Sequence, residues 1–129
     1  LKACLKYGQI SCDQSFSEMP QNLSVALGSE AILKCTVKNQ KGEITWCKDD
    51  SFCTFGRRRN FTDQRFQLSG DETKGEHHLL IKNTSLLDDT KYQCQVTANE
   101  NSEAIKSDWA YLTVLGIIKY LFKIVIIKY

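Results

Sequence analysis

The sequence predicts an all-β domain folded as a two-sheet sandwich, on three observations. Between residues 21 and 115 the chain divides into seven short apolar-alternating runs, each of strand length. Polar clusters separate them, chiefly at 28–29, 39–42, 70–75 and 99–102, where Gly, Asn and Ser supply the conformations that turns need. No part of 21–115 sustains a 3.6-residue apolar stripe. That removes long amphipathic helices and with them an α/β architecture.

The elements follow in order. Residues 1–19 carry Cys4 and Cys12 without helical or strand periodicity and read as an irregular lead-in. The run 22–27 begins the domain, which spans 20–115. Successive strand side chains face opposite ways, so in 31–37 Ala31, Leu33, Cys35 and Val37 point inward, leaving Lys34 and Thr36 outside. In 43–48 the inward pair is Ile44 and Trp46. The runs 65–68 and 77–81 come next, and then 92–97 turns Tyr92, Cys94 and Val96 in and Gln93, Gln95 and Thr97 out. The last run, 109–115, buries Ala110, Leu112 and Val114 and exposes Trp109, Tyr111 and Thr113.

Cys35 stands 11 residues before Trp46 and 59 before Cys94, all three at inward positions. Facing sheets pack ~10 Å apart, a gap that a disulfide bridges and an indole fills beside it. This Cys…Trp…Cys arrangement is the signature of an immunoglobulin-like Greek-key sandwich, V or I type. On the chain-entropy estimate, closing such a loop contributes roughly 4 kcal/mol. Tyr92, two residues before Cys94, occupies the place of a tyrosine corner. Arg65 is placed to pair with Asp88 across the bottom of the sandwich, as a structural salt bridge and not a catalytic one.

Within this framework the stretches 39–50, 86–96, 102–105 and 112–115, above all Asp88-Asp89 followed by Tyr92-Gln93-Cys94-Gln95-Val96, narrow the match. Residues 19–115 resemble the first immunoglobulin domain of the nephrin and irregular-chiasm (Kirre-like) adhesion molecules. The resemblance implies a membrane-anchored protein with several such domains. It implies that the first domain recognises a cell-surface immunoglobulin-domain protein, homophilically or heterophilically, through its front sheet. It also sets Gln95 at the position of a glutamine on the binding face. The pattern breaks between Asp50 and Arg57, where Ser51-Phe52-Cys53-Thr54-Phe55-Gly56 replaces a Gly-Leu-Gly type of turn beside that face. Strand register gives the outward surface as Thr45, Gln93, Gln95, Thr97, Tyr111 and Thr113, with Trp109 at one end and Phe52 and Phe55 in the adjoining turn. Aromatics mixed with amides suit a recognition surface.

Other chemistries find little support. There is room for one domain in 129 residues, which excludes a multi-domain enzyme. No Gly-x-Ser-x-Gly, His-Glu-x-x-His or phosphate-binding glycine loop occurs, so no enzyme, cofactor or small-molecule substrate is expected. The net charge of +2 is too small to predict a nucleic-acid partner. It is also local: 116–129 hold three Lys and no acid, leaving 14 basic and 15 acidic groups in 1–115. Arg57, Arg58 and Arg59 read as a solvated loop. His77 and His78 point to opposite sides of a strand, at a solvated edge, and cannot share an ion. Without Cys-x-x-Cys spacing no metal site is expected. Cys47 and Cys53 flank the turn 49–51 symmetrically and are placed to form a second disulfide, with Cys4 and Cys12 available for a third. Six cysteines permit fifteen pairings, of which only Cys35–Cys94 rests on more than proximity.

Six Cys in a short chain, with sequons at Asn22, Asn60 and Asn83, favour an extracellular or cell-surface location. A sequence opening at Leu1 with neither Met nor a signal segment reads as a mature form, an excised domain or an incomplete product. The tail 116–129 is apolar and basic, too short to span a bilayer and without a clean polar face. It is expected to be a truncated or mispredicted terminus. The function expected is cell–cell recognition. The alternatives are a secreted single-domain modulator and the ligand-binding domain of a transmembrane receptor.

Overall fold

A computed structural model describes residues 13–50, 53 and 61–128. Its strands are β1 (Ser15–Glu18), β2 (Leu23–Ala26), β3 (Ala31–Leu33), β4 (Thr36–Lys38), β5 (Ile44–Lys48), β6 (Phe66–Ser69), β7 (His78–Ile81), β8 (Thr90–Val96), β9 (Ile105–Lys106) and β10 (Ala110–Leu115). A helix, α1 (Ile117–Lys128), follows. The front sheet runs β2-β10-β8-β5, with β9 also on β8. The back layer consists of β3-β7-β6 and the pair β1-β4. The β2 strand lies parallel to β10; the other pairings are antiparallel.

These strands form where alternation gives each one an apolar face. Ala31, Leu33, Cys35 and Val37 meet Ile44, Trp46, Tyr92, Cys94, Val96, Ala110, Leu112 and Val114 in one buried cluster. Cys35 and Cys94 are joined by a disulfide that ties the back layer to the front. Trp46 is fully buried beside them, its indole N–H donating to the His77 carbonyl at 3.0 Å.

Departures from simple alternation have local causes. The run 31–37 is two strands, because the Cys35 N–H donates to Nδ1 of His78 at 3.0 Å instead of to a strand carbonyl. The lead-in contains β1, an edge strand with only Phe16 half-buried, which leaves too little pattern to read from sequence. The histidines are not at a solvated edge. His77 is buried, with Nε2 2.7 Å from Gln40 Oε1, and the half-buried His78 accepts the Cys35 N–H. Helix α1 exposes Leu121, Val125, Ile126 and Ile127. Among the described residues no helix is long and apolar enough to cross a membrane.

At the bottom of the sandwich the Tyr92 hydroxyl donates to the Asp88 carbonyl at 2.9 Å, and burial pushes its phenol above the ordinary range. The Asp88 carboxylate is fully buried and held bidentately by Arg65, at 2.7 and 3.1 Å. The Ser85 N–H adds a bond of 2.7 Å, and Lys48 stands 3.8 Å away. Burial alone would raise this carboxyl; Arg65, the Ser85 N–H and Lys48 more than offset it and hold it below the usual carboxylate range.

Arg65→Ala leaves that buried carboxylate without its bidentate partner, with only the Ser85 N–H and the more distant Lys48 beside it, and is expected to lower unfolding free energy by about 3 kcal/mol at pH 7. A folded-state pKa below the unfolded value of about 3.9 contributes stability above that pH, lost as pH falls through the folded value. Urea titrations should therefore show the gap between wild type and R65A narrowing below about pH 4. A gap constant down to pH 3 contradicts this assignment.

Candidate functional site

The outer face of the front sheet is assembled by register. Thr45 lies opposite Gln95 and Cys47 opposite Gln93 between β5 and β8. Tyr111 of β10 lies opposite Lys91, and Lys106 of β9 opposite Gln95. Cross-strand partners share a face, so these residues form one surface.

Its two halves differ. Around β5, Thr45 and Gln93 are 5 % and 7 % exposed, and Cys47 is fully buried. Alternation puts Thr45 and Gln93 on this face, but neither is open to a partner. Gln93 folds along the sheet and donates its amide to the Ser107 carbonyl at 2.7 Å, filling the irregular stretch between β9 and β10. Ser107 completes that join by accepting the Cys94 N–H with its hydroxyl. Gln95 is half-buried, its amide donating to Gln93 Oε1 at 2.8 Å. Thr97 is half-buried and accepts the Glu43 N–H with Oγ1.

The half around β10 is open. Tyr111 is 56 % exposed. Beside it, Lys91 pairs with Asp50 at 2.9 Å and lies 4.5 Å from the Trp109 ring centroid. The hydrogen bond that it donates to the Asp50 carboxylate holds the Lys91 ammonium above its ordinary range. Asn22 is exposed, and its Oδ1 accepts the Tyr111 N–H at 2.9 Å. Asn83 is also exposed, at φ 48°. Cys4, Cys12, Phe52, Phe55, Asn60 and Arg57 to Arg59 lie outside the described residues.

Cys53 is exposed and carries a free thiol, as does Cys47. Among the described residues no three His, Cys, Asp or Glu side chains are grouped to hold a metal ion. A shallow cleft of about 350 Å³ lies between the 40–43 and 72–77 loops, lined by Gln40, Glu43, Leu68, Glu72 and His77.

Sequence reasoning missed Gln14. It is buried, and its Nε2 donates to the Thr97 and Glu103 carbonyls at 3.0 and 2.7 Å. Its Oε1 accepts the N–H groups of Lys41 and Gly42 at 3.0 and 3.1 Å. One side chain thus joins the loop before β5 to the loop after β8. A Cβ on Gly42 would fall 1.8 Å from the Thr97 carbonyl oxygen, so this close approach needs glycine. The contacts span up to 89 residues, and nothing in the neighbouring sequence signals them. Gln14→Ala is expected to cost about 2 kcal/mol by leaving these groups unpartnered. Amide exchange at 41–42 and 97–103 should rise with it. Gln14→Glu should destabilise more at pH 7, since it aims an anion at two carbonyls; Q14E matching wild type in thermal denaturation contradicts this role.

The sequence is 33 % identical to Synaptogenesis protein syg-1 of Caenorhabditis elegans over 115 residues, which is 86 % of this chain and 16 % of that protein. It is 36 % identical to Irregular chiasm C-roughest protein of Drosophila melanogaster over 105 residues, 80 % of this chain and 14 % of that protein. The chain therefore spans no more than 16 % of either relative. The crystal structure of Duf (Kirre) D1 matches with a TM-score of 0.75 at 36 % identity, covering 80 % of this chain and 97 % of that one. The immunoglobulin I-set domain family matches from residue 14 to residue 110, from the loop-joining Gln14 to the first residue of β10. The chain belongs to the immunoglobulin I-set family.

Proposed function

We propose that this domain is an extracellular recognition module that binds an immunoglobulin domain on a cell surface, a second copy of itself or a different protein, through the outer face of its front sheet. The observation that carries this reading is Tyr111. It is 56 % exposed on β10, a strand flanked by β8 on one side and β2 on the other. Its large ring is thus open near the middle of a paired sheet, not at a frayed edge. Such amphipathic rings anchor interfaces because they bury much area for little lost conformational freedom. The surrounding Lys91, Trp109 and Gln95 side chains are already held by contacts within the domain. Similarity to the adhesion molecules named above supports a recognition role. A glycan on the sequon residue Asn22 would border this patch on its β2 side and leave Tyr111 open toward β8.

The test displays the oxidised chain against soluble copies of itself and a panel of extracellular immunoglobulin-domain proteins. Tyr111→Glu should weaken the best binding by about 30-fold, the loss of a 2 kcal/mol anchor, with an unchanged melting temperature. Leu87→Glu serves as the control, since Leu87 is 85 % exposed in the 86–88 turn, outside the front sheet. Equal binding by wild type and Y111E, or equal losses for both variants, contradicts the proposed face.

A further inference from the structure

The half of the front face closed to partners contains a cysteine pair that the proposed recognition does not use. Cys47 belongs to β5 and faces outward opposite Gln93, yet it is fully buried. Its neighbour is the Cys53 thiol, which stands within hydrogen-bonding reach and is itself exposed. Identifiable contacts hold the residues that follow β5. Asp49 takes a left-handed conformation at φ 59°, and its N–H donates to the Lys91 carbonyl at 2.8 Å. Asp50 N–H closes on the Asp49 side chain at 2.7 Å, and the Asp50 carboxylate pairs with Lys91. These ties hold Asp49 and Asp50 against β8 before any covalent bond is made.

We propose that Cys47 and Cys53 form a disulfide in an oxidising compartment, with the exposed Cys53 as the entering thiol and the buried Cys47 as the resolving one.

The order follows from access. Burial, with the Cys53 thiol adding to it and Lys106 opposing only in part, pushes the Cys47 thiol up to about 12, so Cys47 is a poor first nucleophile. The oxidant is a low-molecular-weight disulfide such as oxidised glutathione. Cys53 thiolate attacks one of its sulfurs, forming a mixed disulfide and releasing one thiolate. Cys47 then gives up its proton and attacks the Cys53 sulfur, forming the Cys47–Cys53 bond and expelling the second thiolate. Two protein thiols lose two electrons and two protons, and the external disulfide gains them as two thiols. Neither cysteine needs a binding partner for this, so the inference stands apart from the recognition reading.

Peptide mapping of the full chain tests it. The protein is equilibrated with oxidised glutathione, alkylated, and digested with trypsin without reduction. Peptides 42–48 and 49–57 should appear joined and should separate on reduction. Finding both alkylated, or either joined to a peptide bearing Cys4, Cys12, Cys35 or Cys94, overturns the pairing. Two variants test the order. In the folded state Cys47→Ser should stop at a Cys53–glutathione mixed disulfide, whereas Cys53→Ser should leave Cys47 unmodified. Glutathione capture by C53S as fast as by C47S overturns the assigned roles; the wild-type map decides the pairing even if a variant misfolds.

Discussion

Contact between the two layers at Cys35, Cys94 and Trp46 is the constraint on which the rest of the domain depends, because it fixes their separation and so every other packing distance. Covalent closure alone would leave polar groups stranded beside it. The His77 carbonyl takes the Trp46 indole N–H, and the His77 N–H goes to the Cys35 carbonyl. The Cys35 N–H, lost to the sheet where the strand breaks, finds the His78 ring. Two adjacent residues, His77 just before β7 and His78 opening it, thus serve the centre of the core, one through its backbone and the other through its imidazole. A buried donor without a partner costs more than a net hydrogen bond contributes, so these pairings keep the break at Cys35 tolerable.

That constraint explains how much of the fold was legible. Positions facing the gap are apolar at every second residue, and this is visible for Leu33, Cys35, Trp46, Cys94, Leu112 and Val114 without coordinates. Arg65 and Asp88 could be set near each other because each lies close to a strand whose register the core dictates, and they meet at 2.7 Å. Features satisfied by long-range polar contacts left no such trace. Gln14 joins backbone groups at 41–42, 97 and 103, and its role depends on loop conformations that alternation does not encode. The two-residue strand β9 and the four-residue β1 are too short to show a period.

The front face was legible in direction but not in accessibility. Period-two reasoning states which side of a sheet a side chain takes and nothing about what lies over it. Gln93 points outward, but β9 and β10 are interrupted at Ser107, and a carbonyl released there is answered by the nearest amide. Its own oxygen then orients Gln95. An outward glutamine on a central strand thus became part of the sheet's internal wiring.

This wiring bears on how such a face would recognise anything. On the open half, Lys91 is held between the Asp50 carboxylate and the Trp109 ring, so its charge is met within the domain and its stem is fixed. The Tyr111 backbone is tied to Asn22 on one side and paired with β8 on the other. A partner docking there would meet side chains whose rotamers are largely chosen in advance, and would lose little entropy in ordering them. With Lys91 already paired, its charge would add little long-range attraction toward a partner. Discrimination at such a face would then fall largely to shape around one aromatic ring, where a misfit would leave buried polar groups unpartnered and be rejected by that penalty.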